Sequence, residues 1–365
     1  MKVAIVHYWL VGMRGGERVL EELVKLFPQA DLFTHVADPR KLSDLLRDRP
    51  ITETFIAKLP GARRHYQKYL GLMPRALEEL DLSGYDLVIS SESGPAKGVI
   101  APPGTPHICY THSPMRYIWD QYGAYRARLS WLEQVYFSHL SHRLRTWDVC
   151  SAARVDKFVA NSSFVAQRIH RYYHREAQVV HPPVDLGSYH LSNQKVERVP
   201  YLFVSELVPY KKADLVIEAF RGLDRQLLVV GDGEQRAELE RNLPANVQLL
   251  GRVSAEDLPG LYQSARALIF PAEEDFGIVP VEAMACGTPV LAYSRGGVRD
   301  SVIDGRTGLF FDEQSTTSIA DAIERFEAAQ FDPSDISDHA NGFGADRFRR
   351  EFSSIVDTVL RDWVH

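Results

Sequence analysis

The chain has 365 residues, 45% hydrophobic and 25% charged, with a net charge of −6; this is the profile of a soluble globular protein of two ordinary domains, and it excludes disordered and fibrous chains. Three cysteines, Cys109, Cys150 and Cys286, lie far apart with no Cys-x-x-Cys pair, so neither a disulfide framework nor a zinc site is expected and a reducing cytosol fits. No run reaches the ~18 apolar residues of a membrane span, and the charge is uneven, with 24 Lys and Arg against 18 Asp and Glu in residues 1–180 and 18 against 30 in residues 181–365.

A basic first half suits anionic lipid or a phosphorylated acceptor, and scattered solubilising charge gives the same count. The apolar run at residues 3–9 reads as a first strand. It resembles a short signal peptide only superficially, because His7 interrupts it and Gly-Gly-Glu follows where a cleavage site would stand. Gly15 and Gly16 then let the backbone approach a ligand, and a helix over about 16–27 offers free N–H groups to a phosphate. A double glycine also serves as a plain turn, and no dinucleotide GxGxxG is present. Residues 59–73 mix Arg63, Arg64 and Lys68 with Tyr66, Tyr69, Leu70 and Leu72. At helical spacing this is either an interfacial segment on anionic lipid or a domain-packing helix with a solvated basic face.

Strands are predicted at 87–90, 108–111 and 158–160. His112 falls just past one of them, where Ser113-Pro114 breaks the chain into a loop. A lone histidine there is often structural. Arg116 can contact phosphate or pair with Asp120. The consecutive prolines at 182–183 favour an extended connector, which places a domain boundary near 182–199.

The second half repeats the alternation, with strands at 202–204, 227–230, 247–250, 267–270, 290–292 and 308–311. Parallel sheets covered by helices on both faces are expected in each half. After the first of these strands comes Val204-Ser-Glu-Leu-Val-Pro-Tyr-Lys-Lys-Ala-Asp214. Glycine turns follow at Gly231-Asp-Gly233 and Gly251-Arg-Val253, and Ser254 to Asp257 is a capping-box-like helix start. The stretch Pro271-Ala-Glu-Glu-Asp-Phe-Gly-Ile-Val-Pro-Val-Glu-Ala-Met-Ala-Cys-Gly-Thr-Pro289 is the most informative. Pro280 suits the first helical turn and Gly287 its end. Glu274 therefore lies on the loop and Glu282 in the first helical turn, while the N–H groups around Phe276, Gly277, Ile278 and Val279 form a seat for an anion such as a diphosphate. An amphipathic segment at 345–363 closes the chain. Asp-x-Asp is absent throughout, so no metal–diphosphate clamp is expected and lysines and helix N-termini carry the leaving-group charge.

The Glu274-x7-Glu282 block resembles the signature of retaining glycosyltransferases of family 4, a GT-B group acting on nucleotide-diphosphate sugars, and the resemblance covers nearly the whole chain. It implies two Rossmann-like α/β domains facing across a cleft, with the active site in that cleft. The domains are an acceptor-binding domain at 1–182, a nucleotide-sugar-binding domain at 183–345, and a helix at 346–365 that crosses back to the first. By position, Glu274 contacts donor-sugar hydroxyls and Glu282 the ribose. Lys211 neutralises the departing diphosphate; Glu206 stands where the family usually has an arginine, so either Glu206 points away or Lys212 and another arginine replace the missing charge. Gly15 and Gly16 face the donor phosphates, Asp275 to Val279 line the donor seat, and backbone near Val253 holds the base. The string Thr111-His-Ser-Pro-Met-Arg-Tyr117 resembles bacterial O-antigen and exopolysaccharide mannosyltransferases, in which the histidine matching His112 lies against the donor sugar.

The resemblance thus implies a metal-independent mannosyltransferase with GDP-mannose as co-substrate, no cofactor and no nucleic-acid partner. Its acceptor is a glycan or lipid-linked sugar in cell-surface polysaccharide assembly. The protein is expected in the cytoplasm, peripheral on the inner membrane, with Arg63, Arg64, Lys68 and Arg116 on the acceptor or membrane side. A family-4 transferase with a UDP- or dTDP-sugar, a nucleotide-sugar epimerase and a non-catalytic binder are the alternatives.

Overall fold

The computed structural model describes residues 1–194 and 196–363; Lys195 of the connector, and Val364 and His365 of the final segment, lie outside the described residues. Two compact units divide the chain. The first takes Met1–Pro182 and the chain from Phe348 onward, and the second takes Pro183–Arg347.

The first unit holds strands β1 (Val3–His7), β2 (Asp31–Thr34), β3 (Ile51–Glu53), β4 (Leu87–Glu92), β5 (His107–Thr111), β6 (Lys157–Ala160) and β7 (Ala177–Val179), in the order β3-β2-β1-β4-β5-β6-β7. Every pairing is parallel. All five residues of β1 are buried, as expected where helices cover both faces of a sheet and strands become continuous apolar runs. β2, β3 and β7 escape the sequence reading: β3 and β7 are three-residue edge strands, half-exposed, and the four residues of β2 offer only Leu32 and Phe33 as an apolar run.

The helix Gly15–Leu26 buries Val19, Leu20, Leu23 and Val24 on one face. The final helix, Ala345–Trp363, buries Phe348, Phe352, Ile355 and Val356 at the spacing of one helical stripe. These side chains enter the cluster that holds Ile5, Val19, Leu23, Ile89 and Tyr110. The chain's last helix therefore completes the core of its first unit.

The second unit holds β8 (Tyr201–Val204), β9 (Leu227–Val230), β10 (Val247–Gly251), β11 (Leu268–Phe270), β12 (Val290–Tyr293) and β13 (Gly308–Phe311), again parallel, in the order β10-β9-β8-β11-β12-β13. Alternation along β8 divides the core between the sheet's two faces: Tyr201 and Phe203 enter one cluster and Leu202 the other. The expected pair of Rossmann-like α/β domains is present. In each sheet the strand order reverses beside the first strand, at β1/β4 and at β8/β11. Loops leaving the carboxyl ends of two such strands diverge and leave a crevice, where ligands of open α/β sheets bind.

The basic run at 59–73 is not one helix. It is a short helix, Ala62–His65, followed by a 3₁₀ segment, Tyr66–Leu72. Three residues per turn stack Tyr66 over Tyr69, and both pack, with Leu70, against Val36, Ile56 and Met73. Arg63, Arg64 and Lys68 stay exposed, and Arg63 Nε donates to the Ala37 carbonyl at 3.0 Å.

Deep burial pushes His35 down to about 4 and His107 down to about 3. Between those values and the ordinary 6.5, the unfolded chain takes up a proton that the native fold excludes. Stability is therefore complete above about pH 6.5 and falls with pH, by about 1.4 kcal/mol per unit for each histidine. His107→Gln is expected to flatten the dependence between pH 6 and 4 by that amount in urea unfolding. Parallel wild-type and variant curves would contradict the assignment.

Candidate active site

β8 and β11 are neighbours in the sheet though separated by two strands in sequence. Lys211 ends the 3₁₀ turn Pro209–Lys211 after β8, Glu274 lies on the loop after β11, and the Lys211 ammonium donates to Glu274 Oε1. The two side chains are only 14% and 23% exposed. Burial pushes the ammonium down, but the charge of Glu274, then Tyr210 and Asp275, outweighs it and the net shift is upward. The lysine is thus held charged. Lys212 takes φ +62° between the turn and the helix Ala213–Ala219. Glu206 is exposed, whereas Lys211 and Lys212 are half-buried.

Gly277 precedes the helix Ile278–Ala285 with φ +85°, a conformation that side chains disfavour, and a Cβ there would meet Phe270 Cζ at 3.1 Å. The first helical turn has no carbonyls behind it to bind its N–H groups, and Pro280 removes one donor where none is needed. Glu282 is the fifth residue of this helix, in its second turn and not the first as expected, and Tyr262, fully buried, donates its hydroxyl to Glu282 Oε2 at 3.0 Å. Burial, and then the Glu282 charge, raise that phenol well above its ordinary value, so it remains a donor. Val253, after β10, packs on the cluster containing Phe276 and Val281.

A second double glycine, missed in the sequence reading, braces the acidic loop. Gly297 N–H donates to Glu274 O at 2.9 Å. A Cβ on Gly296 would lie 2.5 Å from Glu274 O, and one on Gly297 would lie 2.5 Å from Phe276 Cα. Only glycine allows the loop after β12 to lie this close. Its signal was available: Gly-Gly separated by two residues from the end of an apolar strand.

In the first unit, β1 and β4 bring His7 opposite Ser91. His7 Nδ1 lies 3.0 Å from Ser91 Oγ, which lies 2.9 Å from Nε2 of His112, the residue after β5. On the far side of His7, Nε2 is 3.9 Å from Glu17 Oε1, a carboxylate only 3% exposed. Burial pushes Glu17 up, but the neighbouring His7 and backbone donors, that of Arg14 among them, bring it below the usual range. His112 is pushed well down, first by burial and then by His7, so its imidazole is neutral at pH 7. Its backbone is fixed as well, with its N–H donating to Glu92 O at 2.8 Å and its carbonyl accepting from Asn161 Nδ2 at 2.9 Å. Gly15 and Gly16 open the helix beside this group, and a side chain on Gly16 would collide with the Tyr8 hydroxyl. Arg116 donates to Asp120 at 3.3 Å, and Asp120 also accepts from Arg168 at 2.6 Å.

Beneath the His112 loop lies a fully buried ion cluster with no warning in the sequence. Lys97 donates to Glu92 Oε1 at 2.8 Å and to Asp148. Asp148 Oδ2 also accepts from Trp119 Nε1 at 2.8 Å and Tyr173 Oη at 2.9 Å. Burial lowers the ammonium, but Asp148 and Glu92 more than reverse this, so Lys97 is charged. The carbonyl of Glu92 is the acceptor that holds His112. No three His, Cys, Asp or Glu side chains among the described residues are grouped to hold a metal ion.

Against known proteins, the family model described as Glycosyltransferase Family 4 matches residues 13–188, and that described as Glycosyl transferases group 1 matches residues 192–341. An uncharacterized glycosyltransferase of Methanocaldococcus jannaschii is 34% identical over 127 residues, 33% of this chain and 36% of that protein. The D-inositol 3-phosphate glycosyltransferase of Mycobacterium leprae is 30% identical over 194 residues, 47% of this chain and 45% of that protein. The chain thus spans a third to a half of these curated relatives. Among solved structures, HepE of Anabaena in complex with UDP-glucose superposes with a TM-score of 0.71 at 19% identity, covering 98% of this chain and 100% of that one. Sucrose-phosphate synthase from Thermosynechococcus elongatus gives 0.73 at 19% identity, covering 99% and 100%. These likenesses speak to the fold, which is that of GT-B enzymes. With one family model on each half of the chain, the protein belongs to glycosyltransferase family 4.

Proposed function

We propose that the protein is a metal-independent retaining glycosyltransferase that moves a sugar from a nucleotide diphosphate to a glycan or lipid-linked acceptor. The observation that carries this reading is the Lys211–Glu274 pair at the strand-order reversal, beside the start of the Glu282 helix. A cation and a carboxylate that neutralise each other before the donor arrives can separate onto its two halves, Lys211 to the diphosphate and Glu274 to the sugar hydroxyls. Glu282, fixed by Tyr262, takes the ribose. The anomeric carbon–phosphate oxygen bond breaks as the acceptor oxygen bonds to the same face, and the acceptor proton passes to the departing diphosphate. Preorganised charge then stabilises the transition state. His112, neutral and fixed, is assigned to the donor sugar, with Gly15 and Gly16 on the donor phosphates.

For the donor we favour GDP-mannose, on the likeness of the His112 and Glu274 segments to mannosyltransferases. The complex of HepE with UDP-glucose makes a UDP-sugar the competing donor. The acceptor side is assigned to the basic first unit, with Arg63, Arg64 and Lys68 facing anionic membrane on its cytoplasmic side. Among the described residues no helix is long and apolar enough to cross a membrane.

Lys211→Ala and Glu274→Ala are expected to lower turnover by ~10²-fold or more, because both contacts strengthen in the transition state, whereas Glu282→Ala mainly weakens nucleotide binding. Near wild-type kinetics in all three would overturn the site. The wild-type rate is expected to persist in EDTA; a strict need for added Mg²⁺ or Mn²⁺ would contradict the role given to Lys211.

In thermal unfolding, GDP is expected to stabilise the protein more than UDP. At about 100 times Kd the gain is about 2.7 kcal/mol, a shift of a few degrees. A larger shift with UDP or dTDP, with turnover of the matching sugar and none of GDP-mannose, would reassign the donor and leave the fold and the glutamate pair in place.

A further inference from the structure

Four large apolar side chains at the start of one helix stand in water. On Trp131–Ala152, Trp131 is 73% exposed, Leu132 68%, Val135 57% and Tyr136 62%. Their spacing puts them on one face. At roughly 100° per residue, that face is turned about half a revolution from the buried one, which carries Ser141, Leu144, Asp148, Ser151 and Ala152. The helix is therefore anchored by its C-terminal half, and its first turns present a separate apolar stripe to solvent. Neither packing nor the buried ion cluster uses that stripe.

The surroundings indicate what covers it. A Cβ on Gly71 would lie 3.2 Å from Leu140 Cδ1 and 3.8 Å from Tyr136 Oη, so the 3₁₀ run Tyr66–Leu72 lies directly alongside. Leu72 is itself 43% exposed. Residues 57–77 carry five Lys and Arg and no acid, of which Arg75 is paired with Glu79 just beyond, and residues 121–147 carry four Arg and the single acid Glu133. Glu133 is already engaged, accepting from Ser130 N and Oγ at the helix start. A chain of net charge −6 thus concentrates positive charge around its exposed tryptophan, tyrosine and leucine. A second copy docking by a twofold axis would bring two such basic surfaces together. An anionic lipid surface neutralises the charge and takes up the apolar stripe, and tryptophan and tyrosine are suited to that interface.

We infer that the stripe Trp131, Leu132, Val135 and Tyr136 inserts into the headgroup layer of an anionic phospholipid membrane, with the cations of 57–77 and 121–147 on the lipid phosphates. This deepens the proposed function and rests on its reading of a membrane-presented acceptor. The test is co-sedimentation of the full chain with vesicles rich in phosphatidylglycerol and with pure phosphatidylcholine. Binding to the first is expected, weakening with salt, and Leu132→Asp/Val135→Asp should reduce it by about 10-fold or more, because a charge on the inserted face opposes burial. A blue shift of tryptophan fluorescence on binding should be lost in Trp131→Phe. Nucleotide-induced thermal stabilisation, which reports the donor site alone, should be unchanged in both variants, so failure of the membrane inference and failure of the transferase reading are told apart. No vesicle binding by wild type, or binding indifferent to the double substitution, overturns the inference. So does a concentration-dependent dimer in light scattering that the double variant abolishes while vesicle binding persists.

Discussion

Parallel strands whose order reverses beside the first strand constrain everything else in this molecule. Because all strands run the same way, every loop that can meet a ligand leaves from the same edge of its sheet. Because order reverses at β8/β11, the loops bearing Lys211 and Glu274 converge although two strands and their helices intervene in sequence. The same reversal at β1/β4 brings His7 to Ser91 and, one strand on, to His112. The candidate chemistry of each unit thus lies at its own reversal point.

Charge at these edges is held in compensated groups. The Lys211–Glu274 pair is largely shielded from water, and the Lys97 cluster entirely so. Desolvating such groups costs several kcal/mol per ion. The Lys97 cluster offsets that cost by satisfying each carboxylate several times, from Lys97, its backbone N–H, Trp119 and Tyr173. Its geometry fixes the carbonyl of Glu92 and hence the N–H of His112. The Lys211–Glu274 pair has fewer partners and lies nearer solvent, which suits groups that must exchange one another for a ligand.

The fold class was legible because strands such as Val3–His7 and Leu227–Val230 are buried on both faces and so read as unbroken apolar runs. Glu274 and Glu282 were legible because loop and helix start are adjacent in sequence. Their supports were not: Tyr262 and the Gly296–Gly297 turn reach the acidic loop only through sheet pairing and helix packing. His7, Ser91 and Glu17 are each ordinary in sequence and become a chain only when β1, β4 and the first helix are side by side. Lys97 reads as a surface lysine until its two carboxylates are placed around it. The run at 59–73 was read with a helical period because its apolar residues recur suitably, but the tighter 3₁₀ turn stacks Tyr66 on Tyr69 instead. The exposed stripe from Trp131 to Tyr136 escaped notice because the buried face of the same helix is largely polar, with Ser141, Asp148 and Ser151, so apolar residues do not recur along it with a helical period.

The central claim is that Lys211 and Glu274 neutralise each other until a nucleotide sugar separates them. A crystal structure with an intact, non-transferable nucleotide-sugar analogue tests it most directly. The account predicts Lys211 Nζ within hydrogen-bonding distance of a diphosphate oxygen, Glu274 on the sugar hydroxyls and Glu282 on the ribose while still accepting from Tyr262. A donor bound elsewhere, with the Lys211–Glu274 pair intact beneath it, would contradict the account.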